Sequence, residues 1–236
     1  MDKKSILVFG VGELQKSIIQ RAQNMGLFVI GIDPCADAYA KDYVDVFEIV
    51  AGQDYEGTLA VAKKYHVSGV VTAATDKPLV MMARVAEDLN LPFYSVETAE
   101  WSTDKYQMKQ RFLKGFGFKN CSSHTELKIN ERGIFVIETS PRLGGGYITS
   151  TLVPLSTGIN MEDQLLHLSI GEKVDTVSGR INKASGVCFF SYPEGDVKAI
   201  NHSISEVNSW SNIISFDLKL HQGDHINKIT SCMDRY

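Results

Sequence analysis

The chain has 236 residues, of which 44% are hydrophobic and 22% charged, with a formal net charge of −4. That length can bury one sizeable core or two small ones. The negative balance, with no dense Lys/Arg block to offset it, argues against a general electrostatic nucleic-acid binder. From the amino end, Ile6-Leu7-Val8-Phe9 reads as a short buried strand. Residues 13–25 show helical spacing through Leu14, Ile18, Ile19 and Ala22, and Gly26 ends the run. Strands are expected at 27–32, 44–49 and 69–72, helices at 55–65 and 77–89, and Pro92-Phe93-Tyr94 leads into a final short strand. Strands alternating with helices predict an α/β fold, a Rossmann-like parallel sheet covered on both faces.

Within that sheet Gly10, Gly12 and Gln15, with Asp33 ending the second strand, half-match a dinucleotide fingerprint. The third glycine is replaced by Gln15, so close helix approach to a pyrophosphate is not encoded. A tight strand-to-helix turn explains the two glycines better than an oxidoreductase does. Asp33 stays open as a cap or a ligand contact.

Residues 123–140 read as a β-hairpin. Asn130-Glu131-Arg132-Gly133 is a turn signal, with Gly133 placed to close a three-residue loop. That register pairs Asn130 with Ile134, Lys128 with Val136, Glu126 with Glu138 and His124 with Ser140. Leu127, Ile129, Phe135 and Ile137 then share the opposite face, expected to pack on a core. Carboxylates directly opposite each other repel, and a Mg²⁺ ion between them would reverse that sign. A solvated hairpin with an incidental acidic pair is the other reading. A two-residue loop would slip the register and put the two glutamates on different faces.

Farther on, 147–155 is expected to be helical with Pro154 near its end, and Asn160 caps a helix running to Gly171. Residues 175–184 read as a loop. Strands at 185–190, 196–200, 213–220 and 228–232 predict a small antiparallel sheet. Cys35, Cys121, Cys188 and Cys232 are scattered and expected to be reduced, mostly buried thiols, and the six histidines show no metal spacing. The apolar run before Gly10 is too short for a signal peptide, and no segment reaches transmembrane length. A soluble cytoplasmic protein without a membrane or nucleic-acid partner is expected; a homo-oligomer stays open.

Phe9-Gly10-Val11-Gly12-Glu13-Leu14-Gln15, then Ser102-Thr103-Asp104-Lys105-Tyr106-Gln107-Met108-Lys109, resembles the ATP-grasp superfamily and its carboxylate–amine ligases and carbamoyl-phosphate-synthase-like members. His124-Thr125-Glu126, Ile137-Glu138-Thr139-Ser140-Pro141-Arg142 and Leu143-Gly144-Gly145-Gly146-Tyr147 look like that family's metal-binding end. The resemblance implies Glu126 and Glu138 as magnesium ligands bridging ATP phosphates, with Ser140 where the family usually has asparagine. It implies Arg142 as the residue that holds the transferring phosphate or acyl-phosphate. It also implies Gly144, Gly145 and Gly146 as a backbone cradle for an anionic substrate and Lys105 as a nucleotide-phosphate contact. An exposed helix lysine is the alternative for Lys105. The implied cofactors are ATP and Mg²⁺, the implied substrates a small carboxylate and an amine, and the implied intermediate an acyl-phosphate.

The sequence departs from the family around residues 111–118. Only about a dozen residues stand where family members carry a lobe that supplies phosphate-binding lysines and a glycine-rich flap, too few for a second α/β lobe. Residues 112–118 therefore read as a join between two parts of an ATP-grasp sequence. The lobe belongs to a longer parent, or was lost, or the resemblance misleads. The carboxyl end, too, is expected to be truncated. The expected organisation is a Rossmann-like domain at 1–102, a partial ATP-grasp domain at 103–180 and an incomplete β subdomain at 181–236. Two classes remain: a ligase impaired in this chain, and a non-catalytic binding or scaffold remnant. The loop Thr72-Ala73-Ala74-Thr75-Asp76-Lys77 is one of those placed to reach the site.

Overall fold

The computed structural model describes residues 3–104, 108, 115, 117–176, 178–190 and 192–228. They fall into two compact units, residues 1–185 and 186–236.

In the first unit four short apolar runs form a parallel sheet: β1 (Ser5–Phe9), β2 (Phe28–Asp33), β3 (Val46–Ile49) and β4 (Gly69–Val71), in the order β3-β2-β1-β4. Alternation along the strands divides the core in two. Ile6, Val8 and Val29 pack with Ile18, Ile19 and Ala22 of α1 (Lys16–Asn24) and with Leu166 of α6 (Met161–Ser169). Leu7, Phe9, Ile30 and Val70 face the other way, against α2 (Tyr55–Lys64), α3 (Leu79–Asp88) and α4 (Val96–Thr103). Helices cover both faces, as expected of a parallel sheet.

Short polar side chains start these helices. Asp54 accepts from the Gly57 N–H ahead of α2, and Ser95 from the Thr98 N–H ahead of α4. Asn160 Oδ1 accepts from the N–H groups of both Glu162 and Asp163, each at 3.2 Å. Asn160→Ala is expected to destabilise the protein by about 1 kcal/mol in urea unfolding, the usual effect of a lost N-cap. At the far end of α6, a Cβ on Gly69 would lie 2.3 Å from the Ser169 carbonyl oxygen. Only glycine lets β4 and this helix approach so closely. Glu162, also on α6, is buried beside Ser17 and Arg21 of α1. Burial pushes its carboxyl pKa up, against the opposing pull of Ser17 and Arg21.

Some expectations for this unit need correction. Cys35 is exposed and Cys121 half-buried, where mostly buried thiols are expected from the sequence. Residues 92–94 form no strand. Pro92 has no N–H for a ladder, and Phe93 stacks on Tyr94 with ring centroids 4.1 Å apart while Tyr94 is buried in the core. Residues 13–15 form a separate 3-10 turn before α1. The segment after Tyr147 is helical as expected, a π turn, Ile148–Leu152, followed by α5 (Val153–Thr157). Pro154 sits in the first turn of α5, a position that suits its fixed φ. The Leu152 N–H reaches back to the Tyr147 carbonyl at 2.9 Å.

The second unit carries less regular structure than its alternating sequence predicts. Its antiparallel sheet is a pair of two-residue strands, β7 (Gly195–Asp196) and β8 (His225–Ile226). No strand forms at 185–190 or 213–220, where Val187, Phe189, Phe190, Ile213 and Ile214 are exposed. Alternation directs a strand only when one face has a core to enter. Of 228–232, only Lys228 is among the described residues. A short helix, α7 (Ile204–Asn208), was not anticipated; Ser203 Oγ accepts from the Glu206 N–H at 3.2 Å. The spacing Ser203-Ile204-Ser205-Glu206 carried that signal. Among the described residues no helix is long and apolar enough to cross a membrane.

Candidate functional site

In the order β3-β2-β1-β4 the chain steps from β1 to β2 on one side and comes back to β4 on the other, and α1 and α3, the helices after β1 and β4, cover opposite faces. A crevice opens at such a switch point, outside the carboxyl ends of the strands. The loop after β1 fills its own part of that crevice. The Val11 N–H donates to Asp33 Oδ2 at 2.9 Å, and the Gly12 N–H to Gln15 Oε1 at 3.1 Å. Gln15 is buried, and its Nε2 donates to the Ala73 carbonyl at 2.5 Å. Both amides that a dinucleotide fingerprint would aim at a pyrophosphate therefore have partners within the protein. Asp33 clamps the loop; its Oδ1 also accepts from the Cys35 N–H at 2.8 Å.

The hairpin consists of β5 (His124–Asn130) and β6 (Gly133–Ser140). His124 pairs with Ser140 and Glu126 with Glu138, as the sequence predicts. The route to that pairing differs. Asn130 pairs with Gly133, so the loop has two residues, with Gly133 at φ 129° and Arg132 N–H bonded to Asn130 Oδ1 at 2.9 Å. The expected slip occurs: Lys128 faces Phe135, and Leu127 faces Val136. Ile137 is then an extra residue on β6, a β-bulge that restores the register before the glutamates. Phe135 therefore leaves the face expected for it and joins Lys128. The apolar side chains of the hairpin do not enter a core either: Leu127, Ile129, Ile134, Phe135, Val136 and Ile137 are 45–72% exposed. Leu127, Ile129, Ile134 and Val136 do share one apolar face in this register, and that face stays exposed.

Beyond β6 the chain turns onto the sheet. Leu143 is buried in the cluster that contains Val8 and Val11, which brings Ser140 and Arg142 to the loop after β4. Arg142 Nε donates to Asp76 Oδ1 at 2.7 Å and Nη2 to Oδ2 at 3.0 Å, a bidentate pair; Nη1 donates to the Leu143 carbonyl at 2.9 Å. Ser140 Oγ donates to Asp76 Oδ1 at 2.5 Å. Burial raises the Asp76 pKa, but the hydrogen bonds from Arg142 and Ser140, the Arg142 charge and nearby His124 together hold it below its ordinary value.

His124 Nε2 lies 3.6 Å from Glu126 Oε1, and its Nδ1 would stand 2.9 Å from a Cβ on Gly144. A Cβ on Gly145 would meet Ala74 Cβ at 3.0 Å. Two of the three glycines thus let the turn pack under His124 and against the β4 loop, whatever else they do. Gly146 has a positive φ of 61°.

The structure brings Glu126, Glu138, Ser140, Arg142 and Gly144 to Gly146 into one region. Lys105 lies outside the described residues, as do residues 112–114 and 116 of the join. Asp76 and His124 joined the site without an assigned role in the sequence reading. Asp76 carried a signal, since an acidic residue just past a parallel strand sits at the ligand edge of the sheet.

Among the described residues no group of three or more His, Cys, Asp or Glu side chains is arranged to hold a metal. Two opposed carboxylates and a hydroxyl still suit Mg²⁺, which typically takes one or two protein carboxylates and completes its shell with water and substrate phosphates.

No family model matches the chain. A formate-dependent phosphoribosylglycinamide formyltransferase from Parasynechococcus marenigrum (strain WH8102) is 29% identical over 85 residues, which span 36% of this chain and 22% of that protein. The chain therefore matches about a fifth of this relative's length. A phosphoribosylglycinamide synthetase from Anaerococcus prevotii superposes with a TM-score of 0.82 at 14% identity, covering 99% of this chain and 92% of that one. An L-amino acid ligase from Bacillus licheniformis superposes with a TM-score of 0.68 at 14% identity, covering 95% and 92%. Both superpositions are likenesses of fold, a parallel four-stranded sheet with helices on both faces followed by a small antiparallel sheet.

Proposed function

We propose that the chain carries the metal and phosphate end of an ATP-dependent carboxylate–amine ligase, acting on small cytoplasmic metabolites, with turnover impaired in these 236 residues. The observation that carries this reading is the meeting of Ser140 and Arg142, at the end of the glutamate-bearing hairpin, with the β4 loop at the sheet's switch point. The names of two structural neighbours, a phosphoribosylglycinamide synthetase and an L-amino acid ligase, agree with it.

In this reading Glu126 and Glu138, assisted by the Ser140 hydroxyl, hold Mg²⁺, which when bound neutralises the ATP phosphates. Arg142 offers a planar, always-charged fork to the transferring phosphate. Lys105 contacts the nucleotide phosphates, and the amides of Gly144 to Gly146 face the anionic substrate. A substrate carboxylate oxygen attacks the γ-phosphorus and ADP leaves. An amine then attacks the acyl carbon, inorganic phosphate departs, and the amine nitrogen loses a proton to give an amide. The short join at 112–118 leaves no room for a lobe to cover the nucleotide, hence the impairment.

Calorimetric titration tests this. Mg²⁺-dependent ATP binding with a dissociation constant above about 1 mM, corresponding to about 4 kcal/mol, and its loss in Arg142→Gln are expected. Micromolar Mg-ATP binding would overturn the impairment. Binding indifferent to both Mg²⁺ and Arg142 would overturn the site. A scaffold that no longer turns over ATP is the second reading, favoured by the engagement of the Arg142 fork within the protein.

A further inference from the structure

A guanidinium recognises a phosphate or carboxylate best through two parallel N–H bonds. In Arg142 the Nε and Nη2 pair is already given to the two oxygens of Asp76, at 2.7 and 3.0 Å, and Nη1 is held by the Leu143 carbonyl. The Arg142 side chain is 14% exposed and that of Asp76 38%. Solvent thus reaches the pair mainly from the carboxylate, and an arriving anion meets Asp76 before it meets the fork. Two anions cannot share one side of a guanidinium, so an anion that takes this edge must separate the pair.

We propose that Asp76 is the specificity-determining residue of the anion site: it stands in for the ligand on Arg142 and admits phosphoryl dianions while excluding simple carboxylates. This rests on the reading of Arg142 as the phosphate-binding residue. A carboxylate ligand would exchange one carboxylate for another and gain little. A phosphoryl group brings greater charge and a third oxygen, enough to displace an internal carboxylate.

The loop that carries Asp76 is built to yield locally. Its beginning is fixed by Thr72 Oγ1 on the Phe9 carbonyl at 2.8 Å and by Gln15 on the Ala73 carbonyl. Its end runs into α3, where the Leu79 N–H meets the Asp76 carbonyl at 3.2 Å. Between these anchors Ala74 is held at φ 58°, a left-handed conformation disfavoured for alanine, against Gly145. A change at residues 74 and 75, or of the Asp76 side chain alone, can release the carboxylate without disturbing either anchor.

The test uses pyrophosphate and succinate, titrated without Mg²⁺ so that the glutamate pair takes no part. The wild-type chain is expected to bind pyrophosphate weakly and succinate not at all. Asp76→Asn is expected to tighten pyrophosphate at least roughly tenfold, about 1.4 kcal/mol, and to admit succinate; Asp76→Glu should retain wild-type selectivity. Adding Arg142→Gln to Asp76→Asn should abolish both gains. Unchanged or weaker binding in Asp76→Asn would overturn the role of Asp76. Gains that persist without Arg142 would instead overturn Arg142 as the anion site, which separates the two failures. A loss of structure cannot mimic a gain of affinity. Should Asp76→Asn not fold, the Arg142 Nε–H resonance of the wild-type protein serves. It is expected to shift as pyrophosphate saturates the site, and a stationary resonance at saturation would overturn the displacement.

Discussion

Adding Mg²⁺ is expected to raise the unfolding free energy of the protein by about 2.7 kcal/mol once the free ion stands about a hundredfold above its dissociation constant. The double variant Glu126→Gln/Glu138→Gln is expected to show no such rise. Without metal the two carboxylates lie directly opposite on neighbouring strands, a pairing that destabilises a sheet by roughly 0.2–1 kcal/mol. The double variant should therefore be slightly more stable than the wild type in chelator and clearly less stable in Mg²⁺. This crossing of the two curves is the diagnostic outcome, measured by urea unfolding with and without the ion. A Mg²⁺ response equal in both proteins would remove the glutamates from the metal site.

The second large effect is expected at the join between α6 and the sheet. Leu166 is fully buried among Ile6, Val8 and Ile18, and Leu166→Ala should destabilise the first unit by about 2–5 kcal/mol. Gly69→Ala attacks the same contact from the strand side, because its Cβ would fall 2.3 Å from a backbone oxygen that cannot swing aside. Overpacking of this kind typically costs about 1–3 kcal/mol, occasionally more. Since both substitutions loosen one interface, their combined effect should fall short of the sum. Chemical denaturation followed by far-UV circular dichroism measures all three. A loss below about 1 kcal/mol for Leu166→Ala would mean that α6 contributes little to the core.

The sheet was legible because its residues satisfy one requirement at a time. Ile18, Ile19 and Ala22 recur at helical spacing and are all buried, and the apolar runs of β1 and β2 face helices on both sides. The hairpin was legible from its turn signal and alternation, but its loop was read one residue too long; Glu126 meets Glu138 because the bulge at Ile137 makes up that residue. The bulge was not legible, because a single extra residue leaves no mark on composition or period. The change of face at Phe135 followed that miss, whereas the exposure of the apolar hairpin face did not, since nothing in the sequence says what covers it. Residues 185–190 and 213–220 read as strands from their apolar patterning, yet they form none, since patterning says nothing about what covers a face. Asp76 stood in a loop already singled out, but its two partners lie more than 60 residues away. Only the folded chain brings them together.

The bulge also sets a rule for how this hairpin can vary. Eleven residues, 127–137, stand between the two acids, and strands paired around a two-residue loop can use only an even number of them; Ile137 is the one left over. Deleting Ile137 would leave Leu127 opposite Val136 and Glu126 opposite Glu138 as now, and would only straighten the strand. What the surplus residue contributes is thus a bend and added twist just before the acids, not their pairing. Among relatives, an odd count between the acids should go with a bulge or an odd loop, and an even count with a plain two-residue hairpin.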